Sequence, residues 1–325
     1  MSPRTDRPAP TRRPTAPDGL LVVDKPGGWT SHDVVGRTRR LAGTRKVGHA
    51  GTLDPMATGV LVLGVGRATR LLTYLVGADK EYTATVRLGV ATTTDDAEGD
   101  VVARADASGV ARAALDAQVA RLTGDIEQVP STVSAIKVDG RRAYARARAG
   151  EEVELAARPV TVARFDVHDV RRVAPGGDGL PDDGPAALDV DVTVVCSSGT
   201  YVRALARDLG AALDTGGHLT ALRRTRVGGY GLDLAVTLAD AEAQADRDGV
   251  LATVPLATAA RATFAVRELS AAEAAALSYG QWVGPSGRPG AVAAIGPDGD
   301  LVALVEDTRR RGEELARPVL VLAPA

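Results

Sequence analysis

The chain has very few of the residues from which disulfide and metal sites are built. Cys196 is the single cysteine among 325 residues, which excludes an intramolecular disulfide framework and a zinc cluster made of cysteines. The four histidines, His32, His49, His168 and His218, are scattered along the chain. The sequence therefore predicts no metal site.

Long apolar runs are also absent. No stretch approaches the roughly 20 consecutive apolar residues of a transmembrane helix. The basic, proline-containing N-terminus is not followed by the apolar stretch of a secretory signal peptide. With 45% hydrophobic and 25% charged residues, the composition is that of an ordinary globular protein. We expect a cytoplasmic protein of about two domains, without membrane contact.

Lysine is rare and asparagine is missing altogether. Lys25, Lys46, Lys80 and Lys137 are the only lysines, so 35 of the 39 basic residues are arginine. A general drift of base composition from lysine to arginine would explain this bias. Because the two side chains differ in shape and hydration, the surviving lysines are candidates for sites where arginine does not fit. Chance in a sample of four is the alternative.

The chain has no excess of positive charge, because its net charge is −2. Three windows depart from this average: residues 34–70 carry a net charge of +6, and residues 121–150 and 200–230 each carry +3. Arginine-rich helices are often simply solvated faces. Three such windows against an acidic remainder nevertheless favour a surface that binds a polyanion.

Hydrophobic periodicity places the main elements. We expect an apolar strand over 19–24, a helix that starts at Thr30 or Ser31, and a strand over 61–65. Strict alternation predicts half-buried strands over 80–88 and 188–196, and helices are expected over 111–123 and from 200 to about 214. Residues 1–17 are expected to be a disordered tail and residues 172–187 a mobile insertion.

The sharpest local feature is the sequence Gly51-Thr52-Leu53-Asp54-Pro55. Asp54 is the only acidic residue between Asp33 and Asp79, so it lies in a basic part of the chain. A carboxylate among cations stays ionised, which is the state that a nucleophile or general base requires. Aspartate is also common in turns before proline. From the spacing alone, the turn is the favoured interpretation.

Three further residues could take part in chemistry. Tyr82 lies in the middle of a predicted strand, and Tyr201 and Arg203 open a predicted helix after a Ser-Ser-Gly turn. An arginine in that position can reach a carboxylate of another loop and pair with it in a bidentate manner. The alternatives are a surface arginine beside Arg207 and tyrosines that pack in the core.

Seven segments resemble the TruB family of tRNA pseudouridine synthases, in the order and with the spacing of that family. They span about residues 19–230. The segments are GLLVVDKPGGWTSHDVV, KVGHAGTLDPMATGVLVLGVGRATR, KEYTATVRLG, TTTDDAEGDV, QVPSTVSAIKVDGRRAYARARAG, SSGTYVRALARDLG and GGHLTALRRTRVGGY.

The resemblance implies an isomerase that converts the T-loop uridine at position 55 of tRNA into pseudouridine, without a cofactor or a metal. Asp54 matches the catalytic aspartate, Tyr82 the tyrosine that stacks on the target base, and Arg203 the arginine that pairs with the aspartate. The resemblance also implies substrate-binding roles for His49, Tyr201, Leu222 and Lys25. Among these, His49 matches the histidine that fills the gap left by everted nucleotides.

The positive windows would then hold phosphates of the tRNA. The candidates for RNA contacts are Lys46, Lys137, Arg141, Arg142, Arg146, Arg148, Arg223 and Arg224. Four of these arginines lie in residues 130–158, which we expect to act as a thumb-like segment that folds over the RNA. Flipping the target uridine out of its loop costs a few kcal/mol, which aromatic side chains can offset in part.

The resemblance further implies an α+β pseudouridine synthase fold, a mixed and mostly antiparallel sheet flanked by helices. The catalytic domain would span residues 18–262, and residues 263–325 would form a small, β-rich, PUA-like domain. We expect a monomer that binds tRNA and needs no obligate protein partner.

Three other function classes remain open at this point. A glycosidase-type hydrolase would pair Asp54 with Asp95, Asp96 or Glu98, within about 10 Å; aromatic residues, at 3%, are scarce for a sugar site. A non-catalytic RNA-binding protein or tRNA-folding chaperone would not need Asp54. A guide-RNA-directed synthase would need protein partners, and the long segment 130–158 favours a stand-alone enzyme.

Overall fold

The computed structural model describes residues 13–131, 137–138, 141–142 and 155–322, which form an α+β architecture. The α-helices of these residues are α1 (Ser31–Leu41), α2 (Leu72–Leu75), α3 (Arg112–Arg121), α4 (Val202–Ala212), α5 (Leu238–Asp248), α6 (Leu256–Arg261) and α7 (Ala271–Ser278). None of the helices described is long and apolar enough to span a membrane.

The strands belong to a large sheet, a smaller C-terminal sheet and two hairpins. In chain order, the strands of the described residues are β1 (Gly19–Lys25), β2 (Val47–His49), β3 (Thr58–Val65), β4 (Lys80–Leu88), β5 (Val90–Thr92), β6 (Val101–Arg104), β7 (Gly124–Gln128), β8 (Lys137–Val138), β9 (Arg141–Arg142), β10 (Arg158–Val173), β11 (Ala187–Cys196), β12 (Gly217–Val227), β13 (Tyr230–Gly231), β14 (Val254–Pro255), β15 (Ala265–Glu268), β16 (Val292–Ile295), β17 (Leu301–Arg310) and β18 (Glu313–Val321).

The large sheet has the order β14-β1-β3-β12-β4-β11-β10-β7, with β2 and β13 paired beside β3 and β12. The β3–β12 pair is parallel, and the other pairs of this sheet are antiparallel. The predicted mixed, mostly antiparallel sheet is therefore confirmed. Three strands that are distant in the sequence, β3, β12 and β4, meet at its centre.

Burial follows the sequence pattern along the central strands. In β4, Tyr82, Ala84, Val86 and Leu88 are buried on one face, as the alternation predicts, while Thr83 is exposed. The strand β3 is apolar on both faces and almost entirely buried, which is typical of a strand covered on both sides. The core of the sheet lies directly under the segments that carry the candidate site.

Helix α1 begins where the sequence predicts. Thr30 is its N-cap: the Thr30 hydroxyl accepts from the Asp33 N–H at 3.1 Å, and the Asp33 carboxylate accepts from the Thr30 N–H at 2.9 Å. This reciprocal capping box satisfies two backbone donors that the helix start leaves unpaired. The loop before the helix, residues 26–30, is thereby fixed at its downstream end.

The C-terminal residues form a small β-rich unit, as expected. Its sheet has the order β15-β16-β17-β18, with α7 packed on β17 and β18. One apolar cluster joins this unit to preceding elements: Leu71 and Ala260, which lie outside the unit, pack with Ile295 and Leu320 of its sheet. Side chains of the 3-10 turn Gly66–Arg70 and of α2 also donate to carbonyls at the end of β18.

Two expectations about peripheral segments need correction. Residues 13–17 are not disordered, because Ala16 is buried and its N–H donates to the Ala42 carbonyl. The insertion 172–187 is anchored: β10 runs to Val173, Leu180 packs in an apolar cluster, and Asp178 pairs with Arg87. Residues 1–12 and most of the thumb-like segment lie outside the described residues.

Candidate active site

An ion pair between Asp54 and Arg203 lies at the centre of the site. Asp54 belongs to the loop between β2 and β3, and Arg203 lies in the first turn of α4. Arg203 Nε is 2.9 Å from Asp54 Oδ2. The arginine side chain is 4% exposed and the aspartate side chain 37%. The guanidinium therefore lies beneath the carboxylate, which keeps an open side toward solvent.

A second carboxylate, Asp96, shares the same guanidinium. Arg203 Nη1 lies 3.5 Å from Asp96 Oδ2 and donates to the Thr94 carbonyl at 2.8 Å. The Asp96 side chain is 3% exposed, so it is shielded from any bound substrate. The sequence suggested Asp96 only as the second acid of a hydrolase. Its burial beside a cation argues against that role and assigns it to holding Arg203.

The loop that carries Asp54 has no regular secondary structure, yet side chains from other elements hold its backbone. Arg224 donates to the Gly51 and Thr52 carbonyls, both at 3.2 Å. The Ser31 hydroxyl accepts from the Leu53 N–H at 2.9 Å and lies 3.1 Å from the Leu53 carbonyl.

Lys25 holds the far end of the same loop. Its ammonium donates to the carbonyls of Pro26 at 2.9 Å, Trp29 at 2.6 Å and Pro55 at 3.1 Å. Burial lowers the pKa of Lys25 to about 8, with the nearby Asp54 carboxylate opposing that shift. Because the side chain is completely buried, the prediction that Lys25 contacts substrate is wrong. It supports the catalytic loop from below.

Arg224 is likewise not a surface residue. It is 1% exposed, and its Nε donates to the Val60 carbonyl at 2.7 Å in addition to the two loop carbonyls. The prediction that Arg224 contacts RNA is therefore wrong. Two arginines in succession on a strand point to opposite faces, and that periodicity is the sequence signal that could have separated Arg224 from Arg223.

Tyr82 and Leu222 line the sheet next to this loop. Both are buried, at 8% and 7% exposure. In the β4–β12 pair Tyr82 lies opposite Arg224, and Leu222 lies opposite Ala84. Burial raises the pKa of the Tyr82 phenol, and the positive charge of Arg224 acts in the opposite direction. The phenol is therefore protonated at neutral pH and can donate a hydrogen bond.

The backbone of Tyr201 is held in place at the start of α4. This residue is the N-cap of α4, and the buried amide of Gln128 holds it on both sides. The Tyr201 N–H donates to Gln128 Oε1 at 2.8 Å, and Gln128 Nε2 donates to the Tyr201 carbonyl at 3.1 Å. Sequence reasoning missed Gln128, because nothing in its local sequence shows that its partner is 73 residues away.

His49 ends β2, five residues before Asp54. Its ring meets that of His32 edge to face, with centroids 6.0 Å apart. Burial, and then the neighbouring His32, lower the pKa of His49. The imidazole is therefore neutral at physiological pH, which suits a ring that packs against nucleobases.

The structure describes most of the other RNA-contact candidates. Lys46 is exposed. Arg223 is partly exposed and forms a bidentate pair with Asp24, at 2.7 and 3.0 Å, so part of its charge is neutralised. Lys137, Arg141 and Arg142 lie in the β8–β9 hairpin. Arg146 and Arg148 lie outside the described residues.

Comparison with known proteins places the chain in one family. Three family profiles match it: "TruB family pseudouridylate synthase (N terminal domain)" over residues 39–202, "tRNA pseudouridylate synthase B C-terminal domain" over residues 203–254, and "tRNA Pseudouridine synthase II, C terminal" over residues 264–323.

Relatives named tRNA pseudouridine synthase B cover nearly the whole chain. The protein from Arthrobacter sp. (strain FB24) is 60% identical over 94% of this chain and 97% of its own length, and the one from Nocardia farcinica is 58% identical over 98% of both. A chain in the crystal structure of a Cbf5–Nop10–Gar1 complex matches the fold with a TM-score of 0.69 at 26% identity, covering 94% of this chain and 85% of that one. This chain belongs to the TruB family of pseudouridylate synthases.

Proposed function

We propose that this protein is a stand-alone tRNA pseudouridine synthase that isomerises the T-loop uridine at position 55. The observation that carries the proposal is the half-open Asp54 carboxylate, held at 2.9 Å by a buried arginine, next to a tyrosine whose pKa burial raises. Membership of the TruB family and near full-length relatives named tRNA pseudouridine synthase B support it.

The reaction breaks the N1–C1′ bond of uridine, turns the uracil, and joins C5 to C1′. A proton leaves C5 and one is gained at N1, so the product is an isomer. Asp54 is the group proposed to act at the ribose, and it needs to be ionised and fixed for that role. Arg203 fixes the carboxylate, because its guanidinium is itself immobilised by Asp96 and the Thr94 carbonyl.

The detached uracil has to be retained while it turns. Tyr82 offers a flat, protonated phenol on the sheet floor, and Leu222 offers an apolar wall on the adjacent strand. Tyr201 is proposed to close the pocket from the start of α4. His49, kept neutral by burial, is proposed to fill the space that the everted uridine leaves in the T loop.

Around this pocket, Lys46, Lys137, Arg141, Arg142, Arg146, Arg148 and Arg223 are proposed to bind phosphates. Residues 18–262 are proposed as the catalytic domain and residues 263–325 as a PUA-like appendage. We further propose that the enzyme acts as a monomer in the cytoplasm without an obligate protein partner.

The test uses purified protein and an unmodified T stem-loop RNA, followed by mapping of pseudouridine. Wild type is expected to convert the T-loop uridine, and Asp54→Asn is expected to bind the RNA without converting it. The matched control is Asp79→Asn, which removes a partly exposed carboxylate that pairs with Arg226. It should keep wild-type turnover.

Two results would refute the proposal. The first is the absence of product at the T-loop uridine with wild type. The second is full conversion by Asp54→Asn, which would favour a non-catalytic RNA-binding protein or tRNA-folding chaperone. Gel filtration of the free and RNA-bound protein tests the monomer.

A further inference from the structure

Trp29 is an unusual residue for a loop beside a catalytic pocket. It is 38% exposed, although tryptophan is normally well buried in a folded protein. The chain has only two tryptophans, and the other one, Trp282, lies in the C-terminal unit under the Arg310 guanidinium, 4.8 Å from it. The Trp29 indole is therefore available to a partner that approaches the loop.

The loop that presents Trp29 is rigid by construction. Gly28 has a φ of +77°, a left-handed conformation that glycine adopts without strain. The Trp29 carbonyl accepts from Lys25 Nζ at 2.6 Å, and the capping box of α1 begins at the next residue. The backbone on both sides of the indole is therefore fixed, so little conformational entropy is lost when a partner binds.

The same loop is bonded directly to the backbone that carries Asp54. The Gly28 N–H donates to the Pro55 carbonyl at 2.8 Å, and Lys25 links that carbonyl to the Trp29 carbonyl. Two residues beyond Trp29, Ser31 bonds with the Leu53 backbone. Hydrogen bonds thus join the loop that carries Trp29 to both neighbours of Asp54.

Local charge favours a base rather than a phosphate as the partner of the indole. Asp24 and Asp33 are the acidic residues nearest to Trp29 in the sequence. Asp24 pairs with Arg223, whereas hydrogen bonds from Thr30 lower the pKa of Asp33 and keep it an anion. A phosphate next to Asp33 would be repelled. A nucleobase has a neutral π-face, which stacks well on an indole and does not require a particular sequence.

We propose that Trp29 is a stacking platform for an unpaired base of the RNA substrate, next to the uridine that enters the pocket. This inference rests on the proposed function, because it assumes an RNA with bases turned out of their stack. It adds a binding residue outside the pocket that contacts a different nucleotide from the one Tyr82 receives.

The test exploits the two tryptophans. In an Asp54→Asn background, Trp282→Phe leaves Trp29 as the only indole, and Trp29→Phe leaves only Trp282. Titration with the T stem-loop is expected to quench the fluorescence of the Trp29-only protein strongly and to leave that of the Trp282-only protein nearly unchanged. Equal signals from both proteins, or no change at Trp29 at saturating RNA, would overturn the proposal.

Kinetics of variants with an intact Asp54 give a second readout. Trp29→Ala is expected to raise KM about 5- to 100-fold with kcat nearly unchanged, which corresponds to the loss of one stacked base. Trp29→Phe should keep most of the affinity and Trp29→Leu should not, because leucine is apolar but lacks an aromatic ring. Wild-type affinity in Trp29→Leu would refute stacking. A wild-type enzyme without turnover would instead refute the proposed function, so the two failures are distinguishable.

Discussion

The Asp54–Arg203–Asp96 arrangement makes separate predictions for stability and for turnover. We consider Arg203→Met, which keeps the aliphatic volume but removes the cation. The substitution leaves the 3%-exposed Asp96 side chain without its positive partner. Removing one member of a buried ion pair costs about 3–5 kcal/mol, which corresponds to a drop of about 4–7 °C in Tm for a chain of 325 residues.

Turnover should fall independently of that loss. Without Arg203, Asp54 loses the ion pair that fixes its carboxylate, and a displacement of about 1 Å costs on the order of 100-fold in rate. We therefore expect kcat to fall by at least about 100-fold, while binding of the T stem-loop changes little. The measurements are thermal unfolding, single-turnover kinetics and RNA affinity on the same preparation.

The double variant Arg203→Met with Asp96→Asn separates the two effects. It removes the charge that the single variant leaves unpaired, so about 0.5–3 kcal/mol of stability should return. Turnover should not return, because Asp54 still lacks its partner. Recovery of both quantities together would refute the reasoning, since it would mean that Arg203 acts on turnover only through folding.

Arg207→Met is the matched control, one helical turn further along α4. Its side chain is 30% exposed, against 4% for Arg203, and it lies 3.4 Å from Asp95 rather than beside Asp54. Near wild-type turnover is expected. A loss as large as that of Arg203→Met would contradict the role assigned to Arg203.

Three further predictions concern the support of the site. Lys25→Arg should lower Tm markedly, because a planar guanidinium does not fit among the three carbonyls around the enclosed Lys25 ammonium. Lys46→Arg is the control and should leave Tm unchanged, because Lys46 is exposed. Equal Tm values for the two variants would contradict this. Gly59→Ala should disrupt the β3–β12 contact, because the added Cβ would lie 2.2 Å from the Arg224 carbonyl and residue 59 has a φ of +98°. Gly36→Ala in α1 has open space around the added Cβ and should stabilise the protein by about 0.5–1 kcal/mol. Urea unfolding of the two variants compares these effects. Burial lowers the pKa of His218. As pH falls below about 6.5, the unfolded chain therefore takes up a proton that the folded ring resists, and the stability of the protein should fall over that range. His218→Asn should flatten that part of the profile of Tm against pH, and an unchanged profile would exclude His218 as its source.

The sequence could predict the strands and helices because their signals are local. The alternation in β4 and the capping residues of α1 each specify one element, and the structure has both within two residues of the predicted ends. The sequence also marked Asp54 as an isolated acidic residue in a basic segment, although its spacing alone favoured a turn. Its pairing with Arg203 was accessible only through the resemblance, because 149 residues separate the two in the sequence.

The sequence analysis could not predict which charged residues are buried. Lys25 and Arg224 carry charges that normally remain at the surface, and the sequence analysis expected Lys25 to bind substrate and Arg224 to contact RNA. The structure buries both and directs their donors to backbone carbonyls. The scarcity of lysine pointed in the right direction: Lys25 and Lys80 are buried and bonded to carbonyls, while Lys46, an exposed lysine, shows that scarcity alone does not identify such a site.

The catalytic loop combines an irregular backbone with precise placement. Each residue from 51 to 55 is held by a side chain of another element: Gly51 and Thr52 by Arg224, Leu53 by Ser31, Asp54 by Arg203 and Pro55 by Lys25. Three of these four side chains are buried cations, so the loop that carries the Asp54 carboxylate lies on a positively charged floor.

The way the loop is held determines how the binding energy of the substrate can be used. Because the loop's position is fixed from below, substrate can approach Asp54 from above without having to order the loop first, and binding energy is available for flipping the uridine. Ser31→Ala should therefore lower kcat more than it raises KM, since it loosens Leu53 without touching RNA. A change in KM alone would mean that the loop is ordered by the RNA rather than by the protein.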